Sequence, residues 1–420
     1  MSPPYGTTVP GNRWDLAGSA ASGLRVSVVV SHYEQPGELA RTLAALERQT
    51  RRPDEVVVAD DGSRVAPDVP DDVRLVRQDD RGFRLAAARN LGVAASTGDV
   101  VVLLDADTVP EPGYVAAMAD LPSRLPECLV VGRRRHADLA DVPLDAPIEV
   151  AGPAHELPEP GWLRQAYATT RDLLDADHTG HRFAVGAVLA CSRWWWDELG
   201  GCDESFTSYG GEDWDLAQRS WRAGGLLAHR ADAVAWHDGP DAGARGRSAA
   251  SELGETVAVA DHGGAPGTTW RGLLRGPADL VVTVDGGLEP AAVLASLDGL
   301  LAAVPRARVE LDDEHRRLVG DDPRVHPQGR APSTARLHLH LREGLLGDPA
   351  AWLAVLDGLD GHACRAVGTD GSTVEDLRLT RRAARWERPE IATTHPAVDR
   401  RLTPWRAGHT LEAWLGGWAT

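Results

Sequence analysis

The sequence predicts an α/β protein, in which a sheet flanked by helices is followed by a second and smaller α/β domain. Apolar, strand-like runs alternate with helical patterns between residues 26 and 104. A strand, a helix and a strand within about 40 residues indicate a βαβ unit with parallel strands. A similar alternation resumes at residue 280, which predicts the second domain.

The elements of the first domain follow from apolar runs and helix signals. Residues 26–30, Val-Ser-Val-Val-Val, are too apolar for a strand with one solvated face. Pro36 begins a helix whose Leu39, Leu43 and Leu46 share one face. The next strand is predicted at 55–59, and the remaining elements are a strand at 73–76, a helix at 86–95 and a strand at 100–104.

Polar clusters follow three of these strands, at 31–34, 60–63 and 105–107. Ligands of open parallel sheets bind beyond the carboxyl ends of the strands, so we expect one site there. The turn after the first strand has no Gly-x-Gly-x-x-Gly pattern, which argues against dinucleotide binding.

Composition excludes several functional classes. The chain has 44 basic and 62 acidic residues and a net charge of −18, which argues against a broad nucleic-acid or anionic-membrane surface. All basic residues other than histidine are arginine, so chemistry that needs a lysine, such as a Schiff base, is excluded. The four cysteines form no Cys-x-x-Cys pair. With neither a signal-peptide pattern nor an apolar run of membrane-spanning length, we expect a cytoplasmic protein with reduced thiols.

Asp105 and Asp107 are the first candidates for chemistry. They follow a buried strand at positions i and i+2, so their carboxylates point to one side. Such a pair favours Mg²⁺ or Mn²⁺, with diphosphate oxygens completing the shell. Two solvated acids at a strand end would give the same short pattern.

A longer series of motifs resembles family 2 glycosyltransferases with the GT-A fold. It runs from the valine-rich strand through Asp-Asp-Gly-Ser, Arg-Gly-Phe-Arg, Ala-Arg-Asn, Asp-x-Asp and Pro-Glu-Pro-Gly-Tyr, over about residues 25–120. It continues through 183–187 and 200–206 to Gly-Gly-Glu-Asp at 210–213, and this later part is similar to the C-terminal region of galactosyltransferases. One departure is Ala187, where many relatives have an asparagine after the glycine.

The resemblance implies a role for each matched position. Asp213 would be the general base and Glu212 an acceptor anchor, with Asp107 and His237 as ligands of Mn²⁺ or Mg²⁺. Tyr209, Gly211 and Trp214 would bind the acceptor. The residues implied for nucleotide-sugar binding are Glu34, Asp60, Asp61, Arg81, Arg84, Arg89, Asn90 and Asp105.

The Gly-Gly-Glu-Asp stretch also has a purely local reading. Acids in the first turn of a helix are favoured by the helix dipole, which explains Glu212 and Asp213 without any catalysis. Capping needs neither Gly210 and Gly211, which allow close approach of a sugar, nor the neighbouring aromatic rings. We expect Trp195 and Trp196, with Tyr209 and Trp214, to offer faces on which a sugar can stack.

The predicted function is an inverting, metal-dependent transfer of a sugar from a nucleotide-sugar, expected to be a UDP-sugar, to an acceptor hydroxyl. The partners are therefore a nucleotide-sugar and a glycan or other hydroxyl acceptor. A sugar nucleotidyltransferase is one alternative, but its Gly-rich basic loop is missing. A non-catalytic sugar-nucleotide or glycan-binding protein is the other.

Domain boundaries follow from composition. We predict a flexible tail at 1–23, a GT-A catalytic domain at 24–240, a linker at 241–270 and a second α/β domain at 271–420. A constant offset of 237 aligns Arg342 and Gly344 of the second domain with Asp105 and Asp107. This pattern indicates either a degenerate, non-catalytic GT-A-like repeat or a chance similarity between two α/β segments.

Overall fold

The computed structural model describes residues 2–241, 248–262, 269–329 and 334–416. The chain forms two compact units, one of residues 1–221 and 225–259 and the other of residues 222–224 and 260–420. Each unit has its own sheet, so the predicted α/β class is confirmed, with a large mixed sheet flanked by helices and then a smaller α/β unit.

The first unit contains one mixed sheet. Its strands are β1 Val26–His32, β2 Glu55–Asp60, β3 Val73–Arg77, β4 Val100–Asp105, β5 Thr108–Pro110, β6 Cys128–Ala137, β7 Glu156–Leu157, β8 Val188–Ser192 and β9 Leu226–Asp238. The strand order is β3-β2-β1-β4-β8-β6-β9-β5, and β7 pairs with β6. The first four strands in this order are parallel, whereas β8 is antiparallel to both β4 and β6.

Helices cover this sheet. They are α1 Pro36–Glu47, α2 Leu85–Ala95, α3 Tyr114–Arg124, α4 Ile148–Ala154, α5 Gly161–Thr169, α6 Arg193–Leu199, α7 Glu212–Arg222 and α8 Ala249–His262. As predicted, α1 begins at Pro36 and buries Leu39, Leu43 and Leu46. Gly92 of α2 lies against Val29 and Ala59, so α2 packs closely on β1 and β2.

The second unit repeats much of this topology. Its strands are β10 Leu280–Val284, β11 Arg308–Leu311, β12 Val325–Pro327, β13 Leu337–Leu341, β14 Leu345–Leu346, β15 Cys364–Val367, β16 Ser372–Asp376 and β17 Thr403–Pro404. Its helices are α9 Pro290–Ala303, α10 Asp313–Val319, α11 Pro349–Asp357, α12 Leu377–Arg385 and α13 Leu411–Trp414. The order β12-β11-β10-β13-β16-β15 corresponds, strand for strand, to β3-β2-β1-β4-β8-β6.

Pairing at the end of the sheet corresponds as well. Parallel bridges join Cys364 to Thr394 and Val367 to Asp399, as β9 runs parallel to β6. The antiparallel pair β14–β17 corresponds to β5–β9, and Leu345 opposite Pro404 corresponds to Thr108 opposite His237. The offset of 237 noted in the sequence therefore coincides with a shared strand order and register.

Two predicted boundaries differ from the structure. The tail at 1–23 is attached to the first unit: the Asn12 amide exchanges hydrogen bonds with the backbone of Leu227, and the Thr8 hydroxyl donates to Glu127 at 2.7 Å. The linker at 241–270 contains α8, because its alanines form helix as readily as coil. Its remaining parts at 242–247 and 263–268 lie outside the described residues.

Two smaller features bear on the remaining expectations. The four cysteines are all free thiols, and Cys128, Cys191 and Cys202 are buried. Within the described ranges, no helix is both long and apolar enough to cross a membrane.

Candidate active site

A cavity of about 430 Å³ lies at the carboxyl ends of β1, β2 and β4, where the sequence predicted a site. Three carboxylates, Asp61, Asp105 and Asp107, line it together with three aromatic side chains. These aromatic residues are Tyr33, Phe83 and Tyr209. The cavity thus combines negative charge, suited to a cation, with flat apolar faces, suited to a base or a sugar ring.

The pairing of β5 with β9 brings the two predicted metal ligands together. Thr108 lies opposite His237 in this pair, and Asp107 Oδ2 is 3.5 Å from His237 Nε2. His237 Nδ1 lies 3.2 Å from the carbonyl oxygen of Gly239. If Nδ1 carries the proton and donates it there, Nε2 presents its lone pair towards Asp107, which is the usual arrangement of a metal-binding histidine.

These two side chains fit a divalent cation that also takes oxygens from a diphosphate. The described part of the chain contains no cluster of three or more His, Cys, Asp or Glu side chains able to hold a metal alone. Gln35 Nε2 donates to Asp107 Oδ2 at 3.0 Å and so orients the carboxylate. The residues that would hold such a cation are therefore Asp107 and His237, with Asp105 on the cavity wall.

His136 lies beside His237 and was not predicted from the sequence. The two rings are 5.0 Å apart, and His136 Nδ1 lies 3.1 Å from the same Gly239 carbonyl oxygen. Burial lowers the pKa of His136 to about 4, so this ring is neutral at pH 7. A second positive charge next to the cation position is thereby avoided.

The Gly-Gly-Glu-Asp stretch forms the start of α7, as predicted. Gly210 and Gly211 have φ of 89° and 99°, a conformation that favours glycine, and Glu212 begins the helix. Asp213 Oδ2 accepts a hydrogen bond from Gly186 N at 2.9 Å, and Oδ1 accepts one from Trp214 N at 2.8 Å. Asp213 is thus held in one orientation by two backbone amides.

Burial raises the pKa of Asp213, although the Gly186 amide acts in the opposite direction. The pKa of Glu212 is also raised, by burial and by the neighbouring Asp213, while Arg89 opposes the shift. A carboxylate with a raised pKa is a better proton acceptor, once ionised, than an ordinary carboxylate. Asp213, whose pKa is raised, has this property.

Arg89 does not line the cavity; it lies between two carboxylates. Its side chain is 2% exposed, Nη2 is 3.1 Å from Asp105 Oδ1, and Nη1 is 2.9 Å from Glu212 Oε1. Burial disfavours its charge, but Asp105 and Glu212 outweigh this and raise its pKa. The sequence had instead predicted that Arg89 binds the nucleotide-sugar.

Three carboxylates expected to bind the nucleotide-sugar, Glu34, Asp60 and Asp61, lie in different surroundings. Asp60 is fully buried and bonded to His32 Nδ1 at 2.8 Å and to Arg77 Nε at 2.8 Å. Asp61 lines the cavity, so it is the one of the pair available to a ligand. Glu34, with a φ of 52°, accepts from Arg64 N at 2.7 Å, which lowers its pKa.

Arg81, Arg84 and Asn90 line a different cavity, of about 500 Å³, beside α2. Arg81 and Arg84 are close to Asp79 and Glu204, respectively. The Asn90 side chain bonds both backbone groups of Cys202 and holds the turn before α7. The structure does not bring these three residues together with the Asp-x-Asp carboxylates.

The residues expected to bind the acceptor also lie in different places. Tyr209 is 46% exposed and lies on the cavity, with its ring 5.8 Å from that of Phe83. Trp214 is half-buried, and its ring meets the edge of His181. The expectation that Trp195 and Trp196 stack on a sugar is wrong, because both are buried residues of α6.

Gly211 contacts protein rather than open space. A Cβ atom there would lie 2.9 Å from Phe206 Cε1 and 2.9 Å from Val259 Cγ2. A Cβ atom at Gly210 would lie 2.6 Å from Glu255 Oε1. The close approach that the two glycines allow is therefore made by α8, whose helical nature the sequence analysis missed.

Comparison with known proteins identifies the first unit. Residues 27–189 match the family model for glycosyl transferase family 2, and residues 175–233 match the model described as the N-terminal domain of galactosyltransferase. The chain carries a family 2 glycosyltransferase domain. The two matches together cover the residues that line the cavity, and the predicted family is confirmed for this part of the chain.

Relatives of the family 2 domain have several activities. The hyaluronan synthase of Pasteurella multocida is 30% identical over 239 residues, covering 51% of this chain and 24% of that protein. The validoxylamine A glucosyltransferase of Streptomyces hygroscopicus subsp. limoneus is 30% identical over 217 residues, covering 46% of this chain and 47% of that protein. The chain thus spans between about a quarter and a half of the length of these relatives.

A solved structure is also similar. The mannosyltransferase PcManGT of Pyrobaculum calidifontis, in complex with GDP-Man and Mn²⁺, is 21% identical with a TM-score of 0.41. The alignment covers 61% of this chain and 69% of that one.

Proposed function

We propose that the family 2 domain is an inverting, metal-dependent glycosyltransferase that uses a nucleotide-sugar, most simply a UDP-sugar. The observation that carries the proposal is the pair Asp107–His237, which faces a cavity bordered by Asp61, Asp105 and Tyr209. A carboxylate oxygen and an imidazole nitrogen at the carboxyl ends of parallel strands suit a cation whose other ligands are diphosphate oxygens.

In the proposed reaction, Asp213 accepts the proton of the acceptor hydroxyl. The acceptor oxygen forms a bond to the anomeric carbon, and the bond from that carbon to the diphosphate breaks with its electron pair on the diphosphate. A divalent cation, when bound, would stabilise the negative charge of the departing diphosphate. Attack opposite the leaving group inverts the anomeric configuration.

The chain's own residues orient the reactants. Gly186 N and Trp214 N fix the Asp213 carboxylate, and each oxygen keeps a lone pair for the proton. Tyr209 and Phe83 offer apolar faces on one side of the cavity. We propose that Tyr209, Trp214 and Glu212 bind the acceptor and that Asp61 and Asp105 bind the donor.

A screen of nucleotide-sugars tests the proposal. Purified protein with Mn²⁺ should release the nucleoside diphosphate from one sugar-nucleotide class and transfer the sugar to a hydroxyl acceptor, with inversion seen by NMR. Chelator should stop the reaction, and Mn²⁺ should restore it. The absence of turnover across UDP-, GDP- and dTDP-sugars, or full turnover in excess chelator, would contradict it.

The cytoplasmic location expected from the sequence stays a prediction. Cell fractionation of the expressed full chain would test it, and enrichment in the membrane or secreted fraction would contradict it.

A further inference from the structure

Two motifs that are distant in the sequence meet on one buried side chain. Asp105 ends β4 and Glu212 begins α7, yet both accept hydrogen bonds from the guanidinium of Arg89, which lies on α2. Nη1 contacts Glu212 and Nη2 contacts Asp105, so the two contacts use different nitrogens of one rigid group.

A third contact reaches the proposed base. A Cβ atom at Gly186 would lie 2.6 Å from Nη1 and 2.7 Å from Nη2 of Arg89, so the guanidinium lies directly against this glycine. The amide of the same glycine donates to Asp213 Oδ2 at 2.9 Å. Arg89 therefore contacts the backbone segment that orients Asp213, and no larger side chain fits at Gly186 without displacing Arg89.

The charges require this arrangement. Glu212 is 4% exposed and Arg89 is 1% exposed, so neither is screened by water. Arg89 lies between Glu212 and Asp105 and forms an ion pair with each of them. Removing one member of such a buried set leaves an unpaired charge and displaces the remainder.

We propose that Arg89 is a positioning residue for transfer: it fixes Glu212 and the Gly186–Asp213 contact relative to Asp105, so that acceptor and donor groups meet in register. This inference rests on the proposed function of the first unit. It differs from a role in ligand binding, because Arg89 has no surface on the cavity.

Replacement by lysine separates positioning from charge. An ammonium keeps the positive charge. It has a single nitrogen, however, and cannot reproduce the two separate nitrogens of a planar guanidinium that contact Glu212 and Asp105. Arg89→Lys should therefore fold and should lower kcat on the order of 10-fold, since one charge-assisted hydrogen bond is lost. The donor KM should change by less than this factor.

Arg193→Met is the matched control. Arg193 donates to the carbonyl oxygens of Gly98 and Val93, at the end of β4 away from the cavity. This variant should lower the melting temperature without changing kcat per folded molecule. If Arg89→Lys behaves like Arg193→Met, with lower stability and unchanged kcat, Arg89 is structural only and the proposal is overturned.

A double-mutant cycle adds a second kinetic test. Arg89→Met should lower kcat strongly in the native background but add little in the Glu212→Gln background, because its effect acts partly through Glu212. The double variant should also melt at a higher temperature than Arg89→Met alone, since no unpaired carboxylate remains at position 212. Fully multiplicative kinetic effects would contradict the proposal.

Crystal structures of the wild type and of Arg89→Lys test the same inference without turnover. We expect Glu212 Oε1 to move from its position and the contact between Gly186 N and Asp213 Oδ2 to lengthen. If both stay in place, Arg89 does not position them. A wild type without transfer activity would count against the proposed function, whereas this structural comparison would still decide the role of Arg89.

Discussion

The orientation of the His237 ring is the residue-scale feature on which the proposed metal binding depends. The Gly239 carbonyl oxygen lies within hydrogen-bond distance of Nδ1, and Nε2 is 3.5 Å from Asp107. His237→Ala should raise the Mn²⁺ concentration for half-maximal turnover by roughly 10-fold or more, because loss of even an outer partner has that effect. Metal titrations of activity would measure it, and a lower melting temperature with an unchanged titration would contradict it.

Asp213 makes a testable contribution to the pH profile. Burial raises its pKa, so as pH falls the carboxylate is protonated, and activity is lost, at a higher pH than for an exposed aspartate. We expect the acid limb of kcat/KM to lie above the ordinary range of aspartate. Asp213→Asn should lose on the order of 10²-fold in transfer and retain no such limb.

Glu212→Gln is the comparison for this prediction. The pKa of Glu212 is also raised, but Glu212 bonds Arg89 rather than the amide of Gly186. The Glu212→Gln substitution should reduce transfer less than Asp213→Asn does. The reverse order of the two losses would mean that Glu212 is the base.

At the scale of elements, the packing of α8 against the two glycines before α7 can be tested by substitution. Gly211 has a φ of 99° and lies against Phe206 and Val259. Gly211→Ala should therefore lower the free energy of unfolding by more than the roughly 1–3 kcal/mol that backbone strain alone would cost, because its methyl group would also collide with Phe206 and Val259. Chemical denaturation would measure it.

Gly254 is the matched control within α8. It lies in the helix with no atom near its Cβ position, so Gly254→Ala should stabilise the protein by up to about 1 kcal/mol. If α8 does not lie over the turn in solution, Gly211→Ala should lose only the cost of its φ, and a Val259→Ala change should leave stability unaltered.

Most strands and helices could be predicted because each depends on neighbours in the sequence. β10 begins at residue 280, where the alternation was predicted to resume, and β1 begins at the predicted Val26. α8 was missed because glycine and alanine in its sequence predict a linker as readily as a helix. Burial of Trp195 and Trp196 was missed because a tryptophan run does not show which face packs inward.

From local patterns alone, the candidate site was predictable only where its residues are close in the chain, whereas the pairing of Asp107 with His237 was expected from the family resemblance. Asp105 and Asp107 share a strand end, and Glu212 and Asp213 share a helix start. The bond between Arg89 and Glu212 joins residues 123 positions apart, which no local pattern encodes. Gln35 was missed for the same reason, since its contact is with Asp107.

At the scale of the whole molecule, the second unit has the strand order of the first without its proposed ligands. Arg342 and Gly344 stand at the positions of Asp105 and Asp107, and Pro404 stands opposite β14 where His237 stands opposite β5. We therefore expect Arg342→Ala to leave the Mn²⁺ requirement and the donor affinity unchanged. Kinetics with saturating acceptor would measure both, and a changed donor affinity would indicate a second site.

Gly344 leaves no room for a carboxylate at the position that corresponds to Asp107. A Cβ atom at this position would lie 2.7 Å from Ala292 Cβ and 2.8 Å from Trp405 Cβ, and Trp405 N donates to the Gly344 carbonyl oxygen. An aspartate there would have to displace Ala292 and Trp405. A Gly344→Asp substitution alone therefore cannot give the second unit the carboxylate that Asp107 provides in the first.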